Sequence, residues 1–223
     1  MELTPNIGAY APPAPSLAAR SVALASKAHF AGQLVIPDGD DGRVVLAESH
    51  LEFCWIIYLL AQPTVKTVVE QVRFAWTDHT GKAQLKYFDI VAILKDGRKL
   101  ACEVKPTVRL KSGRVLKELR QISGQIEGHF DEVRLLTEKG LDRITLFNAE
   151  ILFGMADADP DADEAAIALI ETLAGSAALG ELTTVLGIGA RGFRALVRLI
   201  GARRLALCHH ERISHSALVR REA

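Results

Sequence analysis

The chain has 223 residues, 49% of them apolar, and a formal net charge of zero, which suffices for one ordinary domain plus a small second one. The charge balance excludes a protein that coats nucleic acid through bulk positive charge. The longest unbroken apolar run, Phe53 to Ala61, is far below the roughly 20 residues that span a bilayer, and no basic stretch leads into an apolar one at the N-terminus, so a cytoplasmic protein with no membrane contact is expected.

Residues 1 to 30 contain Pro5, Pro12, Pro13 and Pro15 among many Ala and Ser without sustained periodicity. They are expected to form a flexible N-terminal arm that docks late or not at all. Ser49 followed by Glu52, and then a dense apolar run ending before Pro63, predicts a buried helix of about 13 residues with a capping-box start and a proline stop. Thr67 to Trp76, Gln84 to Leu94 and Arg98 to Val104 read as strands, the last two forming a hairpin around Lys95, Asp96 and Gly97.

The length of that loop decides which side chains meet. A three-residue loop with Gly97 in the left-handed conformation sets Leu94 opposite Arg98 and Asp89 opposite Glu103. A two-residue Asp-Gly loop instead sets Asp89 against Val104 and turns the two acids to opposite faces. The three-residue register is the expectation.

Further on, Val115 to Phe130 predicts a helix with a basic outer face, Glu132 to Leu136 a short buried strand, and Arg143 to Leu146 another strand. Together, residues 31 to 154 read as one α/β domain. The acidic stretch Asp157 to Glu164 contains Pro160 and leads into apolar residues at helical spacing through Leu173, which places a boundary near residue 155. Residues 155 to 223 then form a small helical domain, with Leu182 to Leu186, Phe193 to Ile200 and His215 to Arg221 as three short helices of a winged-helix-like module.

Charge is distributed unevenly. Lys95 to Arg120 holds nine Lys or Arg against three acids, Ile144 to Ala190 holds no Lys or Arg, and eight Arg fall between Arg191 and Arg221. Arg109, Lys111, Arg114 and Lys117 are candidate contacts to DNA phosphates, which would position a duplex without reading its sequence; the same run also fits a solvated face. The Arg-rich C-terminus has the same two readings, with a partner protein as a third. Cys54, Cys102 and Cys208, scattered in apolar surroundings, read as reduced core thiols. His209, His210 and His215 complete no familiar metal spacing. Asp157, Asp159, Asp161 and Asp163 start like a calcium loop, but Ala162 replaces its glycine and Ala168 its closing glutamate, so an acidic linker is expected.

The constellation that carries chemistry is Asp89 followed by Glu103, Val104 and Lys105. Phosphodiester cleavage needs a cation that neutralises the phosphate and lowers the pKa of the attacking water, and Mg²⁺, with Mn²⁺ as substitute, prefers hard carboxylate oxygens. Asp89 and Glu103 supply two such groups. Residues 103 and 105 of a strand share a face, so Lys105 is aimed where Glu103 is aimed, and Val104 points into the core. The alternative is a polar face of a surface hairpin; the apolar neighbours Phe88, Ile90, Val91, Ile93, Ala101 and Cys102 point instead to a sheet buried on both sides, where charges need a cation or partners.

This pattern resembles the PD-(D/E)xK nucleases, with Phe88 standing where the family often has proline. The run Ala47-Glu48-Ser49-His50-Leu51-Glu52, then Glu70-Gln71, Asp89 and Glu103-Val104-Lys105-Pro106, resembles the TnsA-like endonuclease subunit of heteromeric transposases over roughly residues 30 to 150. Thr145 to Leu152, around Asn148, resembles that family's link into its C-terminal domain. The resemblance implies a restriction-endonuclease-like fold and a metal-dependent endonuclease acting on double-stranded DNA at the ends of a mobile element. Catalysis would fall to Glu52, Asp89, Glu103 and Lys105 with Gln71 as a further site residue, and the metal to Asp89, Glu103, Glu52 and the Val104 backbone carbonyl. A DDE-type transposase subunit and a AAA+ regulator are the implied partners. For Glu52 the capping role competes, and one carboxylate is not expected to fill both; the active-site role is favoured. A stand-alone repair, resolvase or restriction-type nuclease, and a non-cleaving DNA-binding assembly module, remain the alternatives.

Overall fold

A computed structural model describes residues 12–21, 30–39 and 41–222. Strands β1 (Gly32–Ile36) and β2 (Arg43–Ala47) form an antiparallel hairpin that runs into helix α1 (His50–Leu60). The Ser49 hydroxyl accepts from the Glu52 amide at 3.2 Å and so starts α1. Pro63 follows its end because a proline ring pushes the preceding residue out of helical geometry. Cys54, Trp55, Ile56, Ile57 and Leu59 are buried, as expected of a helix apolar on nearly all sides.

Four strands form the main sheet in the order β3 (Val65–Thr77), β4 (Ala83–Leu94), β5 (Lys99–Val104) and β6 (Glu132–Leu136); β5 and β6 run parallel and the other pairs antiparallel. The chain is therefore a mixed α/β protein whose central sheet is flanked by helices. Between β4 and β5 the three-residue register is realised: Ile90 lies opposite Cys102 and Ile93 opposite Lys99, and Gly97 takes φ +91°, a conformation that glycine reaches without the Cβ penalty.

Two hydrophobic layers sandwich this sheet. Ile90, Ala92, Leu94, Leu100, Cys102 and Val104 pack against the layer of α1, whereas Phe74, Phe88, Val91 and Ala101 pack against helix α2 (Arg114–Ser123) through Leu119 and Ile122. Phe88 and Ile90, two residues apart, thus face opposite layers, and in β3 the same change separates Val68 from Val72 and Phe74. Both strands reverse face at one rung, Gln71 beside Asp89, where Gln71 holds φ +51°. The ladder resumes on either side, with Glu70 opposite Ile90 and Val72 opposite Phe88.

Three elements differ from their sequence reading. Helix α2 stops at Gly124 instead of continuing to Phe130, because Gln125 turns back to the β3–β4 tip, accepting from the Thr77 amide at 2.9 Å and donating to its carbonyl at 2.8 Å. The expected strand at Arg143 to Leu146 is the start of helix α3 (Arg143–Gly154). There the Asp142 carboxylate accepts from the Ile144 and Thr145 amides at 2.8 and 3.0 Å, and the cap outweighs local β preference. The expected third helix of the C-terminal segment is instead strand β9 (Leu218–Arg221), which sits between β7 (Ser176–Ala178) and β8 (Leu205–Leu207) and buries Val219.

The C-terminal segment has its own core, built from α4 (Pro160–Glu171), α5 (Leu179–Leu186), α6 (Ala190–Gly201) and the small sheet, in the chain order helix, strand, helix, helix, strand, loop, strand. Most of the acidic stretch is not a linker. Asp159 caps α4, and Asp159 and Asp163 pair with Arg191 and Arg198 of α6 at 2.7 Å each. Helix α3 touches both cores, Phe153 the first and Ile151 and Leu152 the second. Among the described residues no helix is long and apolar enough to cross a membrane.

Candidate functional site

The site lies where β4 and β5 part, one rung beyond the last ladder pair. Asp89, 6% exposed, and Glu103, 2% exposed, are charged groups among buried apolar neighbours, so each must find partners. Asp89 Oδ2 accepts from the Val104 amide at 2.7 Å and from Lys105 Nζ at 3.0 Å. Lys105 Nζ also lies 3.0 Å from Glu103 Oε1 and 3.0 Å from the Val104 carbonyl oxygen, to which it donates. One ammonium thus joins both acids. Burial works against its charge, yet the two carboxylates prevail and hold the Lys105 pKa above its usual range. Lys105 is therefore a cation at neutral pH, suited to stabilising negative charge and unsuited to accepting a proton.

Glu52 fills the capping role: its carboxylate accepts from the Glu48 amide at 3.0 Å and from the Ser49 hydroxyl at 2.9 Å. It nevertheless lies within the electrostatic reach of Asp89. Burial, and then the charge of Asp89, raise its pKa, against the opposing pull of those hydrogen bonds and of Lys105. The two roles expected to exclude each other meet in one carboxyl group, which caps α1 while sharing the electrostatic field of Asp89 and Lys105.

Gln71 is fully buried at the reversal rung. Its Oε1 accepts from Arg20 Nε at 2.8 Å and its backbone carbonyl from the Ala19 amide at 3.2 Å, while its Nε2 has no hydrogen-bond partner among the described residues. Arg20 belongs to a strap, part of the proline-rich arm, that lies on the domain: Ala14 exchanges backbone bonds with Gly42 and Val44, Ser16 bonds the buried Glu70, and Arg20 also pairs with Glu48 and lies over the Tyr87 ring. Proline-rich composition masked this contact, because a docked extended strap and a free one read alike. The rest of the arm, residues 1–11 and 22–29, lies outside the described residues.

Two residues passed over in the sequence reading complete the site. Lys86 Nζ lies 2.9 Å from Glu103 Oε1 and 3.0 Å from Glu118 Oε1 on α2. Neither falls in a motif; the available signal was that Lys86 interrupts a strand otherwise expected to be buried. Glu103 Oε2 is buried and, among the described residues, has no hydrogen-bond partner.

Asp89 and Glu103 offer hard oxygen donors of the kind Mg²⁺ takes, and the orphaned Oε2 is an acceptor still to be satisfied, so the two acids fit a divalent cation. Among the described residues no three His, Cys, Asp or Glu side chains gather closely enough to form a complete cage, and the Val104 carbonyl is engaged by Lys105. Such a cation would rest on two protein carboxylates and water, as Mg²⁺ commonly does. Arg109, Lys111, Arg114 and Lys117 are exposed on the 3₁₀ turn Thr107–Leu110, the bend after it and α2. The last two line a cleft of about 320 Å³ together with Trp76, His79, Gln84 and Glu118.

Elsewhere, His210 Nε2 lies 3.1 Å from Asp142 and the His215 ring stacks on Phe193. Cys54 and Cys102 are buried free thiols and Cys208 a half-buried one, with burial pushing Cys102 up to about 12. No protein-family model matches the chain, and no curated protein matches it in sequence.

Proposed function

We propose that this protein is a metal-dependent DNA endonuclease of the PD-(D/E)xK kind. The observation that carries the reading is the junction of Asp89, Glu103 and Lys105, in which one ammonium lies 3.0 Å from an oxygen of each acid beside a buried carboxylate oxygen that has no partner among the described residues. When bound, Mg²⁺ or Mn²⁺ supplies charge neutralisation at the phosphate and a water of lowered pKa. Asp89 and Glu103 hold it, Glu52 adds negative potential from the end of α1, and Lys105 stabilises the charge developing on the phosphate. Arg114 and Lys117 grip the phosphodiester backbone along the adjoining cleft.

The finer reading is a restriction-endonuclease-like domain of the TnsA type, nicking the 5′ ends of a mobile element beside a DDE-type transposase and under a AAA+ regulator. The C-terminal order of helix, strand, helix, helix, strand, loop, strand supports a winged-helix-like module. Arg191 and Arg198 of α6 are neutralised by Asp159 and Asp163, which favours protein contact over phosphate contact for that face. The test is a cleavage assay on end-containing duplex DNA with Mg²⁺ or Mn²⁺, with and without the products of adjacent genes. Nicking lost in Asp89→Asn supports the reading. Nicking retained by that variant refutes it, and cleavage without any partner favours a stand-alone nuclease.

A further inference from the structure

Five charged side chains form one unbroken chain: Asp89, Lys105, Glu103, Lys86 and Glu118, each link between 2.9 and 3.0 Å. Glu103 Oε1 receives two ammonium groups, more positive charge than a single carboxylate balances, while Oε2 receives none. A dication placed on Asp89 and Glu103 repels both ammoniums. Lys105, with a third of its side chain exposed, can extend toward solvent, whereas the more enclosed Lys86 has Glu118 as its second partner.

We infer that Lys86 and Glu118 form a charge-compensating relay for cation binding, in which Lys86 is shared between Glu103 and Glu118 before the cation arrives and is held by Glu118 alone afterwards. Both are positioning residues that act through Glu103. The inference rests on the metal-dependent reading above, and it ties α2, with its exposed Arg114 and Lys117, to the state of the site.

Mn²⁺ titration of the full chain by calorimetry tests it without requiring cleavage. Glu118→Gln leaves Lys86 wholly on Glu103 and lowers Mn²⁺ affinity on the order of a hundredfold, the effect of one charge acting on a dication over ~10 Å at an effective dielectric near 20. Lys86→Met raises the affinity by a similar factor, and the double variant returns to within about threefold of wild type, again on that Coulomb scale. A merely structural role cannot yield that rescue. Wild-type affinity in Glu118→Gln, or a double variant as weak as Glu118→Gln alone, overturns the relay even where wild-type binding depends on Asp89. A wild-type protein that takes up no Mn²⁺ overturns the relay and the endonuclease reading together.

Discussion

Asp89 Oδ2 lies 2.7 Å from the Val104 amide nitrogen, so the first acid of the site holds in place the strand that carries the second acid and the lysine. The catalytic duty proposed for that carboxylate is thus joined to a structural one. Asp89→Ala would orphan a buried N–H and cost about 1–3 kcal/mol of stability, so a loss of activity in that variant would be uninterpretable. Asp89→Asn keeps an acceptor for Val104. It is expected to unfold within about 1 kcal/mol of wild type in urea while metal-dependent nicking falls at least about a hundredfold, the upper range for groups supporting a metal site.

Glu52 makes stability depend on pH. Its folded-state pKa is raised, chiefly by burial and then by Asp89, so the folded chain binds the proton more tightly than the unfolded chain does. The resulting stabilisation is full below the unfolded value near 4.5 and is lost as pH rises through the folded value. Glu52→Gln can keep the bond to the Glu48 amide through its carbonyl and donate to Ser49 through its amide. Urea titrations should find it more stable than wild type at pH 7 and indistinguishable below the unfolded pKa; a variant less stable at pH 7 would show that capping outweighs the cost of the buried charge.

At Gly97 the left-handed turn can be tested in isolation, because an added Cβ would meet nothing within 4 Å and the cost is conformational. Gly97→Ala is expected to lose about 1 kcal/mol in chemical denaturation. Since this turn sets Asp89 against Glu103, Mn²⁺ affinity should weaken along with it.

Asn148 clamps α3 to the loop before β9, donating to the Glu211 carbonyl at 2.8 Å and accepting from the Ile213 amide at 2.8 Å. Asn148→Ala should cost about 1–3 kcal/mol and speed amide hydrogen exchange across residues 208–217. Unchanged protection there would assign the rigidity of the loop to other contacts, such as Arg212 over the Phe147 ring.

Much of the hairpin was legible because period-two patterning and Gly97 act locally. The helix at Ser49 was equally readable from its capping serine and stopping proline. The misread elements each hinge on distant partners. Leu218 to Arg221 becomes a strand only because β7 and β8 lie on either side of it, and α2 ends where Gln125 finds the tip of another hairpin. At the site, Glu103 and Lys105 follow from strand alternation, and Asp89 from the register that the three-residue loop imposes. Lys86 and Glu118 do not, since they meet across a sheet and a helix 32 residues apart in the chain. Glu52 was weighed between two roles because spacing alone cannot reveal that its capping contacts leave it within the field of Asp89.

The shared reversal of β3 and β4 at Gln71 and Asp89 has a consequence for what this rung tolerates. An acid there is claimed by neither oily layer, since Phe88 seals one and Ile90 the other, and it has no open water to swing into. Its negative charge must be answered by an amine, as Lys105 Nζ does at 3.0 Å, or by an ion. A discontinuity of packing thereby works as an electrostatic trap, held by Lys105 in this structure.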